Sequence, residues 1–229
     1  MDIENNVLVN NIKKYTVNPF RKSMKQIFLN KKKLMDKYNK VDYIKLSHNC
    51  YAFVMDTFDH VGIKKCKYNN NCKKPQPGYV SGIEHWSSKD LNCDEVMKRV
   101  IADSDNTIYI PKTKIKGTQK YKYGNKCKKG YYRGVLVIAP DKDYHFYREV
   151  DTGHWLHKRG QTEVTDVDAS GKKIKDPFTA NRNYGGEYNY HVFCCYFCIP
   201  INTSKRQISS FVKKVKKHTE NYIKNLNKK

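Results

Sequence analysis

The sequence predicts one α+β domain, because helical patterns and short strand patterns follow one another over 229 residues without a repeat or a dividing linker. Residues 131–139 (YYRGVLVIA) give the strongest strand signal, and Pro140 ends it. Residues 204–226 give a clear helical signal, with apolar side chains at helical spacing and lysines between them. A chain of this length can bury a core without disulfides or metals.

The first half of the chain is predicted to be mainly helical. Residues 19–40 fit a basic amphipathic helix or two short ones. A compact helix follows over residues 47–62, where Ser47 or Asn49 can cap its start and Gly62 can end it. Two further segments complete this half, a loop over residues 64–88 and a helix over residues 88–103.

The second half is predicted to form a small antiparallel sheet. Its strands cover residues 107–110, 131–139, 144–150, 155–157 and 190–199. The middle three strands follow one another through short turns, so they are expected to pair as neighbours. The organisation is therefore a single domain over residues 1–229. It comprises a basic N-terminal helical extension (1–46), a core (47–200) and a basic amphipathic C-terminal helix (201–229).

The formal net charge is +23, from 45 Lys and Arg against 22 Asp and Glu. Only seven of the basic residues are Arg, a preference that an AT-rich genome produces by codon bias. The excess of basic over acidic residues still predicts attraction to a polyanion. Residues 112–129 interleave Lys with Tyr121 and Tyr123, and Tyr131 and Tyr132 follow, so nucleic acid is one candidate partner. A lysine-coated surface without a dedicated partner is the alternative. Membrane binding by the C-terminal helix ranks last, because its apolar stripe is expected to dock on the domain.

The eight cysteines are an even number, yet the N-terminus MDIENNVLVNN has no apolar core typical of a signal peptide. No run approaches the roughly 18 apolar residues that span a bilayer. The sequence is therefore expected to belong to an intracellular protein with free thiols. No cysteine spacing predicts a metal site, and no motif implies a cofactor.

Cys50 is the candidate nucleophile, because it lies at the predicted start of a helix, where unpaired N–H groups stabilise a thiolate. A thiol also needs a base. His145 begins the second strand of the predicted hairpin, and His157 lies on the following strand. Antiparallel neighbours bring side chains on one face to within about 5.5 Å, so the two imidazoles could meet. The pattern predicts nucleophile, base and orienting residue, with a small core cysteine as the alternative reading of Cys50.

The run from residue 144 to residue 200 resembles the NlpC-like group of papain-fold cysteine peptidases of bacteria and viruses. The matching pieces are His145-Phe-Tyr-Arg148, Trp155-Leu-His157-Lys158-x-Gly160, Val167-Asp168-Ala-Ser-Gly171, Asp176-Pro177 and Tyr196-Phe-Cys-Ile-Pro200. Upstream, Asn49-Cys50-Tyr51-Ala52 resembles the nucleophile helix of that group, and residues 75–78 with 81–82 resemble the loop after it. The resemblance covers roughly residues 47–200 and leaves out both basic ends.

The resemblance implies a papain-like fold in which a small antiparallel sheet packs on the nucleophile helix. It implies Cys50 as nucleophile, His145 as base and His157 as the third catalytic residue. His154 is an alternative for the third role, because a register slip of one residue changes which side chains face the site.

Three neighbouring residues are candidates for substrate contact. Trp155 is expected as a wall of the cleft or a core residue. Arg148 and Lys158 are expected to bind an anionic part of the substrate, with solvated surface charge as the alternative. Asp168 is predicted to form a turn rather than to act as a catalytic carboxylate.

The implied function is a peptidase, amidase or acyl transferase that acts on a peptide, amide or ester. The chain shows no recognisable cell-wall-binding module, so a peptidoglycan substrate is not implied. The Lys- and Asn-rich composition and the viral members of the group suggest a large DNA virus, with the protein in host cytoplasm or in the virion. The alternative is a catalytically silent basic virion or nucleic-acid-binding protein on the same fold. The oligomeric state is not predicted.

Overall fold

The computed structural model describes residues 30–83, 86–104, 106–119, 121–124, 126–150 and 153–201. Within them lie five α-helices: α1 (Lys31–Asn39), α2 (Asp42–Ser47), α3 (Cys50–Met55), α4 (His60–Asn69) and α5 (Cys93–Asp103). A 3-10 turn covers Ser88–Asp90. The predicted helix over residues 204–226 lies outside the described residues. Residues 1–29, which include the first part of the helical prediction over residues 19–40, also lie outside them.

Eight strands are present in the described residues: β1 (Ile108–Ile110), β2 (Lys112–Lys114), β3 (Tyr121–Tyr123), β4 (Tyr131–Ala139), β5 (Asp143–Glu149), β6 (Trp155–Lys158), β7 (Val164–Thr165) and β8 (Val192–Pro200). Six of them form one antiparallel sheet in the order β1-β8-β4-β5-β6-β7. Strands β2 and β3 form a separate hairpin. The predicted α+β class and the predicted neighbours β4, β5 and β6 are confirmed.

The sheet is buried on both faces because alternate residues of β4 and β5 enter different apolar clusters. Leu136 and Phe146 pack with α3 and α5 in one cluster. Val137 and Tyr147 pack on the opposite face under the segment that joins β7 to β8. A register shift between Leu136 and Val137 makes Cys194 the extra residue of a β-bulge in β8.

Helix α1 belongs to the packed domain. Leu34 and Tyr38 are buried in a cluster with Phe53 of α3 and Leu156 of β6. The side chain of Asn39 also exchanges hydrogen bonds with the backbone of Val164, at 3.1 and 2.8 Å. The folded core therefore begins before residue 47, where the sequence analysis placed its start.

The predicted helix over residues 47–62 is two helices. Asn49 caps α3, because its Oδ1 accepts the N–H of Ala52 at 3.0 Å. Asp56 ends α3 in the left-handed region at φ 51°, and Gly62 lies inside α4 instead of ending a helix. The predicted loop over residues 64–88 is therefore wrong up to Asn69, because α4 continues to that residue.

The expectation of free thiols is wrong for six of the eight cysteines. Disulfides join Cys66 to Cys72, Cys93 to Cys194 and Cys127 to Cys198. Two of these pairs are 101 and 71 residues apart in sequence, so only the fold brings them together. The remaining thiols are Cys50 and Cys195, and both are buried. None of the described helices is long and apolar enough to cross a membrane.

Candidate functional site

The Cys50 thiol lies on an edge of strand β5 that no neighbouring strand occupies. The thiol donates to the carbonyl oxygen of Tyr144 at 3.9 Å, and the sulfur also accepts the N–H of Phe146. Residues two apart in a strand direct their backbone N–H and C=O groups to the same edge. Strand β4 covers the other edge, and pairing with β6 stops at Tyr147 opposite His157. The sulfur therefore lies beyond the end of β6 and next to the backbone of His145.

The two predicted histidines meet across the β5–β6 pair. His145 Nε2 and His157 Nδ1 are 2.8 Å apart, and both side chains are buried. His157 Nε2 lies 2.8 Å from the carbonyl oxygen of Val167. The predicted proximity of these imidazoles is confirmed. His154 precedes β6 and is exposed, so His157 is the residue that reaches His145.

The carbonyl oxygen of Val167 determines where the protons of both rings lie. Because this oxygen can only accept, His157 Nε2 carries a proton. In the neutral ring His157 Nδ1 is then an acceptor, so His145 Nε2 donates to it. The neutral His145 ring therefore keeps its lone pair on Nδ1, which is the nitrogen closer to its own backbone. That atom is the available base.

Burial keeps both rings neutral. Desolvation, and then the neighbouring His157, lowers the pKa of His145 well below its usual value. Desolvation also lowers the pKa of His157 to about 4, partly offset by the bond to Val167. Aromatic rings enclose the pair, with Tyr147 stacked on His157 at 5.0 Å and Tyr190 5.2 Å from His145.

The thiol is also neutral in this state. Burial and then the Asp143 carboxylate raise the pKa of Cys50, and the N–H groups of Phe146 and Tyr51 offset only part of that rise. Cys50 is 5% exposed. A thiol of raised pKa and an imidazole of lowered pKa do not favour a resting thiolate–imidazolium pair.

Val167 was not identified in the sequence analysis because it contributes a backbone atom. The neighbouring turn gives the indirect signal. Asp168 accepts the N–H groups of Ser170 at 2.9 Å and Lys172 at 3.0 Å, and its second oxygen accepts that of Asn181 at 3.0 Å. This confirms the predicted turn, and it fixes the chain beside the carbonyl that anchors His157.

Arg148 does not face a substrate cleft. Its guanidinium is fully buried and donates to the carbonyl of Phe53 at 3.1 Å and to Asp56 at 3.4 Å. It also lies 4.4 Å from the centre of the Tyr132 ring. Arg148 therefore holds the end of α3 against the sheet. The predicted contact with an anionic substrate is wrong for this residue, because its charged group is not accessible.

Lys158 is also buried, and it joins β6 to the helix before Cys50. Its ammonium donates to the carbonyl oxygens of Lys45 at 2.7 Å and Gly160 at 2.8 Å. Burial lowers the pKa of Lys158 to about 8. Its predicted contact with an anionic substrate is wrong for the same reason as that of Arg148.

Trp155 is a core residue, which was the second of its two predicted roles. It is buried in the cluster beneath the β7–β8 segment and lies 6.2 Å from the ring of Tyr196. The guanidinium of Arg133 covers it at 5.1 Å. The predicted role as a wall of a cleft is wrong.

The fold and the site define an α+β protein with a buried cysteine against strand β5, which carries one of two linked histidines. The chain is 53% identical over 48 residues to insoluble matrix shell protein 1 of Ruditapes philippinarum. That match covers 21% of this chain and 32% of the relative, so the chain spans about a third of the relative it matches. No family model matches the chain. No solved structure matches it either.

Proposed function

We propose that the chain is a cysteine hydrolase with a papain-like, NlpC-like fold that acts on amide or ester bonds. Cys50 is its nucleophile, His145 its base and His157 its orienting residue. The observation that supports this proposal is the chain of contacts from Val167 through His157 to His145, which leaves a base nitrogen on the residue between Tyr144 and Phe146. The Cys50 sulfur contacts the backbone of these two flanking residues.

The proposed chemistry assigns one role to each of these three residues. The Cys50 sulfur attacks the carbonyl carbon while its proton passes to His145 Nδ1, and the imidazolium keeps its bond to His157. His145 then returns the proton to the leaving amine or alcohol, and the thioester remains on Cys50. Water attacks the thioester, gives its proton to His145 and releases the acid and the free thiol. Acyl transfer differs only in the final acceptor.

An acyl-enzyme assay tests this proposal without knowledge of the natural substrate. The protein is incubated with p-nitrophenyl acetate, and acetylated peptides are identified by mass spectrometry. The adduct is expected on Cys50, and it should be absent in Cys50→Ala. The control Cys195→Ala removes the other described free thiol and should leave the adduct unchanged. Equal acetylation of Cys50 and Cys195, or no acetylation of Cys50, contradicts the proposal.

We further propose that the protein works in an oxidising, extracellular setting. Three disulfides support this location, since such bonds are rare in the cytosol. The name of the bivalve relative supports it too. Peptide mapping without reduction, on protein taken from its natural source, should recover all three pairs. Recovery of these six cysteines as thiols would instead support the intracellular prediction.

A second candidate function is a basic matrix or binding protein without catalysis. The +23 charge and the name of the shell-matrix relative favour it. Nucleic-acid binding by tyrosine stacking has less support, because Tyr132 is buried and Tyr123 packs on Phe178 and Phe193. Binding of heparin, polyglutamate and duplex DNA at increasing salt tests this candidate. Absence of binding at low salt rules it out.

A further inference from the structure

A group of lysines in the described part of the chain surrounds a small disulfide ring. The bond between Cys66 and Cys72 closes the end of helix α4 onto the residues after it. We call residues 64–74 the basic knuckle. Its five lysines are Lys64, Lys65, Lys67, Lys73 and Lys74. The first four are exposed and Lys74 is half-buried.

No acidic side chain of the same segment neutralises the knuckle, because the chain has no Asp or Glu between Asp59 and Glu84. Lysines elsewhere do form ion pairs, such as Lys37 with Asp56 at 3.2 Å and Lys45 with Asp42 at 2.9 Å. Within the described residues, the ion pairs include none of the five knuckle lysines. Lys67 lies over the rings of Tyr43 and Tyr68, at 5.5 and 4.9 Å, and these contacts do not neutralise its charge. The positive charge of the knuckle is therefore available to an anionic partner.

The ring holds these lysines in place before any partner binds. Asn70 ends α4 in the left-handed region at φ 52°, and its N–H bonds the carbonyl of Lys65. The N–H of Asn71 reaches the same oxygen at 3.3 Å. The disulfide then joins the last turn of the helix to the returning chain. A fixed array loses less conformational entropy on binding than free lysine side chains on a loop.

The residues between the cysteines indicate the kind of polyanion. Asn69, Asn70 and Asn71 are exposed, and each side-chain amide offers donors and acceptors that suit hydroxyl groups. Tyr68 is 71% exposed and presents an aromatic ring beside the charges. Charges, amides and an exposed ring together fit an acidic sugar chain better than a nucleic acid.

We infer that the basic knuckle is a binding surface for an acidic polysaccharide, recognised by its sulfate or carboxylate groups and by its hydroxyls. The inference deepens the second candidate function and rests on it. It does not depend on whether Cys50 is a nucleophile.

The test compares two variants of equal charge in the full-length, oxidised protein. The knuckle variant replaces lysines 64, 65, 67, 73 and 74 with Gln, and the control replaces the exposed lysines 112, 114, 116, 122 and 126 with Gln. The knuckle variant should bind heparin at least about tenfold more weakly than wild type, and the control less than about threefold. Circular dichroism checks that both fold.

Two further measurements separate charge from recognition. Replacement of Asn69 and Asn71 with Ala should weaken binding of heparin but not of polyglutamate. Replacement of Cys66 and Cys72 with Ser keeps every charge and should weaken heparin binding several-fold. Equal losses in the two lysine variants, or tighter binding of polyglutamate or DNA than of heparin, would overturn the inference while leaving polyanion binding intact. A wild-type protein that binds none of the three removes the second candidate function as well.

Discussion

Replacement of His157 separates a catalytic relay from simple packing. In the wild-type protein, the Nε2–H of His145 and the carbonyl oxygen of Val167 each have a nitrogen of His157 at 2.8 Å. Both lose this partner in His157→Leu. A stranded buried N–H costs about 1–3 kcal/mol of stability. The His145 ring can avoid that cost by moving its proton to Nδ1, but the base nitrogen is then occupied. Alkylation of Cys50 should become slower, by about tenfold or more.

His157→Asn is the matched control. Its Oδ1 stands where His157 Nδ1 stood and still accepts from His145, although the bond to Val167 is lost. Cys50 in this variant should react at a rate within about threefold of wild type if the acceptor is what matters. Urea unfolding of both variants measures the cost in stability separately.

The assay is iodoacetamide labelling followed by peptide mass spectrometry, with Cys195 as an internal reference. Cys195 is 1% exposed, and its pKa is raised by burial to about 12, so it reports only opening of the structure. If His157 has only a structural role, its replacement should speed the labelling of both Cys50 and Cys195, because a loosened fold exposes both thiols. Faster labelling of Cys50 in His157→Leu would refute the relay.

Three other predictions concern stability. Arg148→Met should cost about 3 kcal/mol in urea unfolding by leaving Asp56 short of its buried partner, and adding Asp56→Asn should restore part of the loss. His48 is buried, and desolvation lowers its pKa from 6.5 to about 4. Between these two pH values the unfolded chain binds more protons than the folded one, so stability should fall as the pH is lowered from 6.5 to 4. The fall should be less steep in His48→Gln. Dithiothreitol should lower stability by about 5 kcal/mol through the Cys93–Cys194 bond alone, whereas loss of the shorter Cys66–Cys72 loop should cost about 2 kcal/mol.

The sheet and the histidine pair were predictable because both depend on local alternation. Residues 131–139 read as a strand and form β4. The short turn after Pro140 makes the next strand its neighbour, which places His145 opposite Val137. The same reasoning applied to residues 155–157 brings His157 to His145.

The alternation of side chains along β5 and β6 also indicates which face two charged residues occupy. Arg148 has the parity of Phe146, and Lys158 has that of Leu156, so both point to the face that α1–α3 cover. Their burial could have been inferred once that face was known to be packed. Charged residues are read as exposed by default, and this expectation led to the assignment of both as substrate contacts.

The disulfides could not be paired from the sequence. Cys93 lies at the start of α5 and Cys194 in β8, so only three-dimensional packing brings them together. The carbonyl of Val167 likewise has no side-chain signal. The helix break at Asp56 was missed because an Asp in the left-handed region is uncommon, and Gly62 was the more obvious stop.

The bulge at Cys194 makes one covalent bond depend on a single extra residue. Because Cys194 interrupts the alternation of β8, both it and Cys195 enter the cluster shared with α5. Deleting one residue there would restore a regular ladder with a single cysteine facing the helix. Cys93 could then form its disulfide only with that single cysteine of β8. The Cys93–Cys194 bond therefore favours the register in which Cys194 is the extra residue of β8.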